Sequence, residues 1–141
     1  MVLTNVQTNK WLNGDAGYAY GYITPQYFRQ TLGYIWSTFR PSTIDITRFG
    51  FYPFVEDART LDAQRFNFEH SAYYRSFLVE TIKAMFKDGV DVIAAFAWSI
   101  MSNNESRNYE QQYGLQYVNR VSPSSKRSYM RSVFDFVDFF T

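Results

Sequence analysis

An α/β fold is predicted by three features of this chain. Two segments, at 43–51 and 92–98, have the character of parallel strands, an amphipathic helical stretch precedes each of them, and another helical stretch follows the second. Helices alternating with parallel strands imply right-handed crossovers.

Residues 1–23 are polar and glycine-containing, with Asn13-Gly14-Asp15 as a turn signal and Tyr18, Tyr20 and Tyr22 alternating behind it; they read as an irregular lead-in. Thr24-Pro25 then reads as a helix N-cap followed by proline at the first helical position. Phe28, Leu32, Ile35, Trp36 and Phe39 repeat at helical spacing up to Pro41, so a helix over about 25–40 is expected. The segment 43–51 is β-branched and aromatic, with Ile44 and Ile46 alternating, and ends at Gly50 as a strand. A loop of mixed polarity follows through Pro53 and Asp57.

From about 67 to 88 a second helix is predicted. Tyr74, Phe77, Leu78, Ile82, Met85 and Phe86 form its apolar stripe, Lys83 and Lys87 lie in its last turns, and Gly89 stops it. The run 92–98 is almost unbroken in its apolar character, which suits a parallel strand buried on both faces. Leu115, Tyr117 and Val118 suggest a short further strand. Ser124 or Ser125 would cap a last helix over about 126–140, with Met130, Val133, Phe134, Val137 and Phe140 facing the core.

The 141 residues suffice for a single domain, 1–141, but fall far short of the roughly 250 that a complete eight-stranded α/β barrel needs. A net charge of +1, with 14 basic and 13 acidic residues spread along the chain, leaves no footprint for nucleic acid or an anionic membrane. Cysteine is absent and His70 is the only histidine, which argues against a disulfide framework and a metal site. No cofactor is expected. No stretch has the length of a membrane span and the first residues show no secretion signal, so a soluble, cytoplasmic chain is the default expectation. Aromatic residues reach 21%, more than a fragment can leave uncovered, and this predicts a homo-oligomer or a protein complex. Two strands alone would also leave unpaired edges.

Several motifs carry a resemblance. Ile44-Asp45-Ile46-Thr47-Arg48-Phe49-Gly50-Phe51 resembles the Ile-Tyr-Val-Thr-Glu-Asn-Gly-Phe strand of glycoside hydrolase family 1, the β-glucosidase family. Asp88-Gly89-Val90-Asp91-Val92, Phe96-Ala97-Trp98-Ser99 and Tyr113-Gly114-Leu115-Gln116-Tyr117-Val118 are similar to later segments of that family, in order and at nearly the same spacing. The helix from Thr24-Pro25 resembles the one before the strand. The resemblance implies a partial (β/α)8 TIM barrel, namely its last two β/α units with their helices.

The resemblance also implies what has been lost. Retaining glycosidases use two carboxyl groups about 5 to 5.5 Å apart. The family's nucleophile Glu has Arg48 in its place, a permanent cation that is a poor nucleophile and would repel oxocarbenium charge. Its acid/base Asn-Glu-Pro motif has no counterpart, since Asn104-Glu105 lacks the proline. In the sugar-contacting motif Trp98, Asn103 and Glu105 match, while Ser102, Asn104 and Ser106 replace Asp, Phe and Trp. Trp98, Asn103 and Glu105 are therefore the residual sugar-binding candidates; the competing reading makes Trp98 core and Glu105 a solvated loop residue. Asn104-Glu105-Ser106 is a glycosylation triplet that would need secretion. His70 is expected at the surface or in a cap. Glu56, Asp57, Asp62 and Glu69 read as a solvated acidic region, and Arg48 as exposed or ion-paired.

The expected function is thus a degenerate, non-catalytic fragment of family 1 serving as an interaction or structural module, with weak β-glucoside binding at most. Its rivals are one piece of a split β-glucosidase and a truncated lectin-like binder.

Overall fold

The first helix, α1, spans Pro25–Phe39 and starts where proline's fixed φ and missing N–H place it. In this computed structural model, which describes residues 23–51, 60–104, 112–121 and 123–141, Thr24 makes no side-chain capping bond. The proline, not the threonine, marks the start. Arg40 ends the helix in a left-handed conformation (φ 46°), and its N–H reaches the Trp36 carbonyl at 3.2 Å just before Pro41. The lead-in up to residue 22 and the loop at 52–59 lie outside the described residues.

Strand β1, Ile44–Phe49, is followed by a short helix α2, Leu61–Arg65, in a stretch read from sequence only as connection. Thr60 explains it: its hydroxyl accepts from the Ala63 N–H, and Asp62 lies in the first turn, where a carboxylate complements the helix dipole. The long helix α3, Phe68–Asp88, begins at Asn67, whose side-chain oxygen accepts from the His70 N–H at 3.1 Å. It ends at Gly89, with φ at 67°, as the glycine signal predicts. Asn67 is only 1% exposed, so removing its oxygen strands a donor away from water. Asn67→Ala is expected to cost about 1 to 2 kcal/mol, read as a lowered midpoint in urea denaturation.

Strand β2, Val92–Ala97, lies parallel to β1, pairing Ile44 with Val92, Ile46 with Ala95 and Phe49 with Ala97. An irregularity after Ile44 pairs Asp45 with Ala94, leaving Ile93 as the extra residue. Beyond β2 the chain continues through a parallel bridge from Met101 to Gln116 into β3, Gln116–Val118. β3 pairs antiparallel with β4, Arg127–Tyr129, and α4, Arg131–Val137, closes the chain. The β1–β2 sheet has two strands, and no barrel is closed among the described residues.

One face of β1 and β2 carries Ile46, Phe49 and Val92 against α1 and α3. Phe49 is the hub, with ring centroids of Phe28, Tyr73, Tyr74 and Phe77 between 5.2 and 6.0 Å away. At the surface, Arg29 grips Asp88 with two hydrogen bonds of 2.7 and 2.8 Å, tying α1 to the end of α3 and holding the Asp88 carboxyl below its usual range.

Three expectations are corrected. β2 is not buried on both faces: Phe96, 58% exposed, alternates with the core-packed Ala95 and Ala97 and faces away from the described helices, and Ile93, 61% exposed, borders an open cleft beside α3. The apolar stripe of α3 is buried unevenly, with Met85 packed partly buried against the core. Tyr74, Phe77 and Leu78 are buried whereas Ile82 and Phe86 are exposed, and Phe39 at the end of α1 is exposed as well. The last helix starts at Arg131 rather than near 126, since residues 127–129 pair with β3 and the Met130 N–H donates to the Leu115 carbonyl at 3.0 Å. Met130 and Val133 lie inward as expected, but the later start changes the rest of the inward face. Val133, Phe136 and Phe139 pack on the core, while Phe134, Val137 and Phe140 are exposed.

Candidate functional site

The carboxyl ends of β1 and β2 are held side by side by the register of Phe49 with Ala97 and by the Trp98 N–H donating to the Phe49 carbonyl at 2.7 Å. Phe49 and Ala97 face the helices, so Arg48 and Trp98, each one residue away, come out on the opposite face. There the Arg48 guanidinium lies over the Trp98 indole, 4.3 Å from the ring centroid. Arg48 is exposed and Trp98 half-buried, so neither the exposed-arginine nor the core-tryptophan reading alone describes them.

Behind this pair the support is backbone and phenol. Gly50 passes so near the Trp98 carbonyl that a Cβ built on it would lie 2.1 Å from that oxygen. The Tyr74 hydroxyl donates to the Phe49 carbonyl at 3.3 Å. Burial raises the pKa of both Tyr73 and Tyr74, for Tyr73 against a smaller opposing effect of a hydrogen bond with the Gly50 backbone, so both phenols stay neutral. The peptide bond from Trp98 to Ser99 is cis. Ser99 Oγ then donates to the Met101 carbonyl at 2.6 Å, turning the chain toward β3.

Of the residual sugar-binding candidates, Asn103 is half-buried and Glu105 lies outside the described residues, as do Ser106, Glu56 and Asp57. Ser102 is buried to 2% exposure, and its carbonyl accepts from Arg120 Nη2 at 2.6 Å. His70 is a correction: it is fully buried, its ring edge-on to Phe51 and Tyr74, because the first turn of α3 tucks under the strand end. Asp62 and Glu69 fall in the first turns of α2 and α3. Among the described residues no group of His, Cys, Asp and Glu could hold a metal ion, and no helix is long and apolar enough to cross a membrane.

The stacking of Arg48 on Trp98 was the feature that sequence reading missed. Each residue was singled out, but their contact depends on a register that pairs Phe49 with Ala97. The near approach of the chain at Gly50 and Gly114 was equally invisible, although an isolated glycine at a strand end is the signal that points to it.

Adjacent parallel strands covered by helices on one face, with the candidate residues at their carboxyl ends, define a piece of a (β/α)8 barrel. The sequence profile of glycosyl hydrolase family 1 matches residues 4–140, and the chain belongs to that family. It is similar to Beta-glucosidase 31 of Arabidopsis thaliana, 33% identical over 95 residues, which are 67% of this chain and 18% of that protein. It is likewise similar to Beta-glucosidase 12 of Oryza sativa subsp. indica, 29% identical over 117 residues, 82% of this chain and 23% of the relative. In fold it is like the crystal structure of a family 1 β-glucosidase from the fungus Humicola insolens in complex with glucose. The TM-score is 0.84 at 22% identity, over 91% of this chain and 27% of that one. The chain thus spans about a fifth to a quarter of the length of such relatives.

Proposed function

We propose that this chain is a non-catalytic member of family 1 that works as an interaction or structural module, with at most weak carbohydrate binding. What supports the reading most is the chemistry at the strand ends. Position 48, where the family carries its nucleophile, holds an arginine stacked on Trp98, and the first carboxylate after β2, Glu105, matches a sugar-contacting and not a catalytic position of the family. A cation there opposes the positive charge that develops at the anomeric carbon, and hydrolysis with retention needs two carboxyl groups.

The interaction role rests on what is uncovered. An open apolar cleft of about 270 Å³ lies between α3, β2 and the chain's last aromatic residues, lined by Ile82, Met85, Phe86, Ile93, Phe139 and Phe140. Among the described residues the β1–β2 sheet has only these two strands, which leaves both of its edges open there. Burial of these surfaces against a second copy or another protein would stabilise both.

The expected result is a dimer or larger species by light scattering, and no release of p-nitrophenol from p-nitrophenyl β-glucoside above the buffer rate. Arg48→Glu alone is expected to stay inactive, since it restores one carboxylate of two. A folded monomer that cleaves this substrate would refute the reading. The same open edges suit a second reading, one piece of a split β-glucosidase, and mixing with a chain bearing the first six strands would then bring hydrolysis with it.

A further inference from the structure

We infer that Arg48 decides what the face of Trp98 can accept: its guanidinium occupies that face, and a neutral sugar binds there only by displacing it. The inference rests on the proposed reading of a non-catalytic chain with at most weak carbohydrate binding, in which Trp98 is what remains of the sugar site. The two residues reach each other because the β1–β2 register brings positions 48 and 98 out on one face at the strand ends. The guanidinium carbon then lies 4.3 Å from the ring centroid, inside the range of a cation–π contact.

The exclusion is electrostatic as well as steric. An indole face carries negative quadrupole density, and a pyranose ring stacks on it through weakly positive C–H groups. A full positive charge at the same distance takes the same surface with a stronger attraction. The arginine that stands at the nucleophile position therefore does a second thing besides failing as a nucleophile. It covers the platform next to it with a group from its own chain, which sets neutral glucosides at a disadvantage.

The test is a titration with methyl β-D-glucoside, read by saturation transfer to the glucoside protons on the wild type, Arg48→Ala and Arg48→Ala combined with Trp98→Ala, and in the first two also by the indole N–H resonance of Trp98. Removal of the cation is expected to shift the Trp98 indole resonance in the free protein and to tighten binding about two- to fivefold, the worth of an exposed cation–π contact. The double variant should then bind no tighter than the wild type. Arg48 is exposed, so its replacement leaves the core intact, and Arg48→Gln, which keeps most of the stem and removes the charge, should fall on the side of alanine. Equal affinity in the wild type and Arg48→Ala overturns the inference, as does binding in Arg48→Ala that survives loss of Trp98, or an absence of binding in the folded variant. Failure of the underlying reading has its own signature, hydrolysis of an aryl β-glucoside by the wild type, which the affinity ratio does not report.

Discussion

Phe49→Ala is expected to destabilise the chain by about 3 to 5 kcal/mol, a large share of the roughly 5 to 15 kcal/mol that holds an ordinary domain together. Phe49 is 1% exposed and its ring meets four others, Phe28 of α1 and Tyr73, Tyr74 and Phe77 of α3. Truncation removes the transfer free energy of the ring and leaves a void between a strand and two helices that are already tied at their ends. The Tyr74 hydroxyl bonded to the Phe49 carbonyl and the long-range pair of Arg29 and Asp88 resist a collapse that would fill it. Urea denaturation followed by far-ultraviolet circular dichroism measures the loss. Phe39→Ala is the comparison, since Phe39 is 69% exposed and its truncation should stay within about 0.5 kcal/mol. Equal effects of the two would remove Phe49 from its place at the centre of the core.

The helices and the parallel pair were legible because their signals are local. Proline at position 25 and glycine at position 89 mark a start and a stop through backbone chemistry alone. The 3.6-residue stripe of α3 gave its inner face at Tyr74, Phe77 and Leu78 but misjudged Ile82 and Phe86. A periodic stripe shows which residues are apolar on one side; it does not show how far the neighbouring element extends to cover them. The same cause explains Ile93 and Phe96 on β2, whose composition suits a strand with helices or other strands on both sides. Residues 127–129 were absorbed into the last helix because strand pairing with β3 is a long-range decision, and three residues carry too little pattern to announce it.

At the candidate site the sequence named Arg48, Trp98 and Asn103 individually, from their positions in motifs. What it could not supply was their relation. The contact of Arg48 with Trp98 joins residues fifty positions apart, across an irregularity of register between Ile46 and Phe49. His70 was misplaced for a related reason: a polar residue in a first helical turn is usually solvated, and only the aromatic walls of Phe51 and Tyr74 make this one interior.

Gly114→Ala should cost about 3 kcal/mol, through the backbone rather than the core. The chain before β3 runs directly against the chain leaving β2, and a Cβ on Gly114 would lie 2.0 Å from the Ser102 nitrogen, 2.4 Å from the Met101 carbonyl carbon and 2.8 Å from the Gln116 oxygen. None of these atoms can rotate away as a side chain would, so the two segments must part by about an ångström to admit the methyl group. Such a separation disrupts three hydrogen bonds at once: Leu115 N–H to the Ser99 carbonyl at 2.8 Å, Gln116 N–H to that of Ile100 at 3.0 Å, and Ser102 N–H to that of Gln116 at 2.9 Å. At roughly 1 kcal/mol each they account for the expected loss. Because β3 also holds β4 and the start of α4 through the Met130 N–H, the damage should spread toward the carboxyl end, and amide exchange at Leu115, Gln116 and Met130 should rise before exchange in α3 does. Gly33→Ala provides the control. Gly33 sits within α1 with no atom inside 4 Å of the added methyl, and alanine there should raise stability by up to about 1 kcal/mol. If Gly114→Ala were as well tolerated as Gly33→Ala, the close passage of residues 99–102 against 114–116 would be wrong.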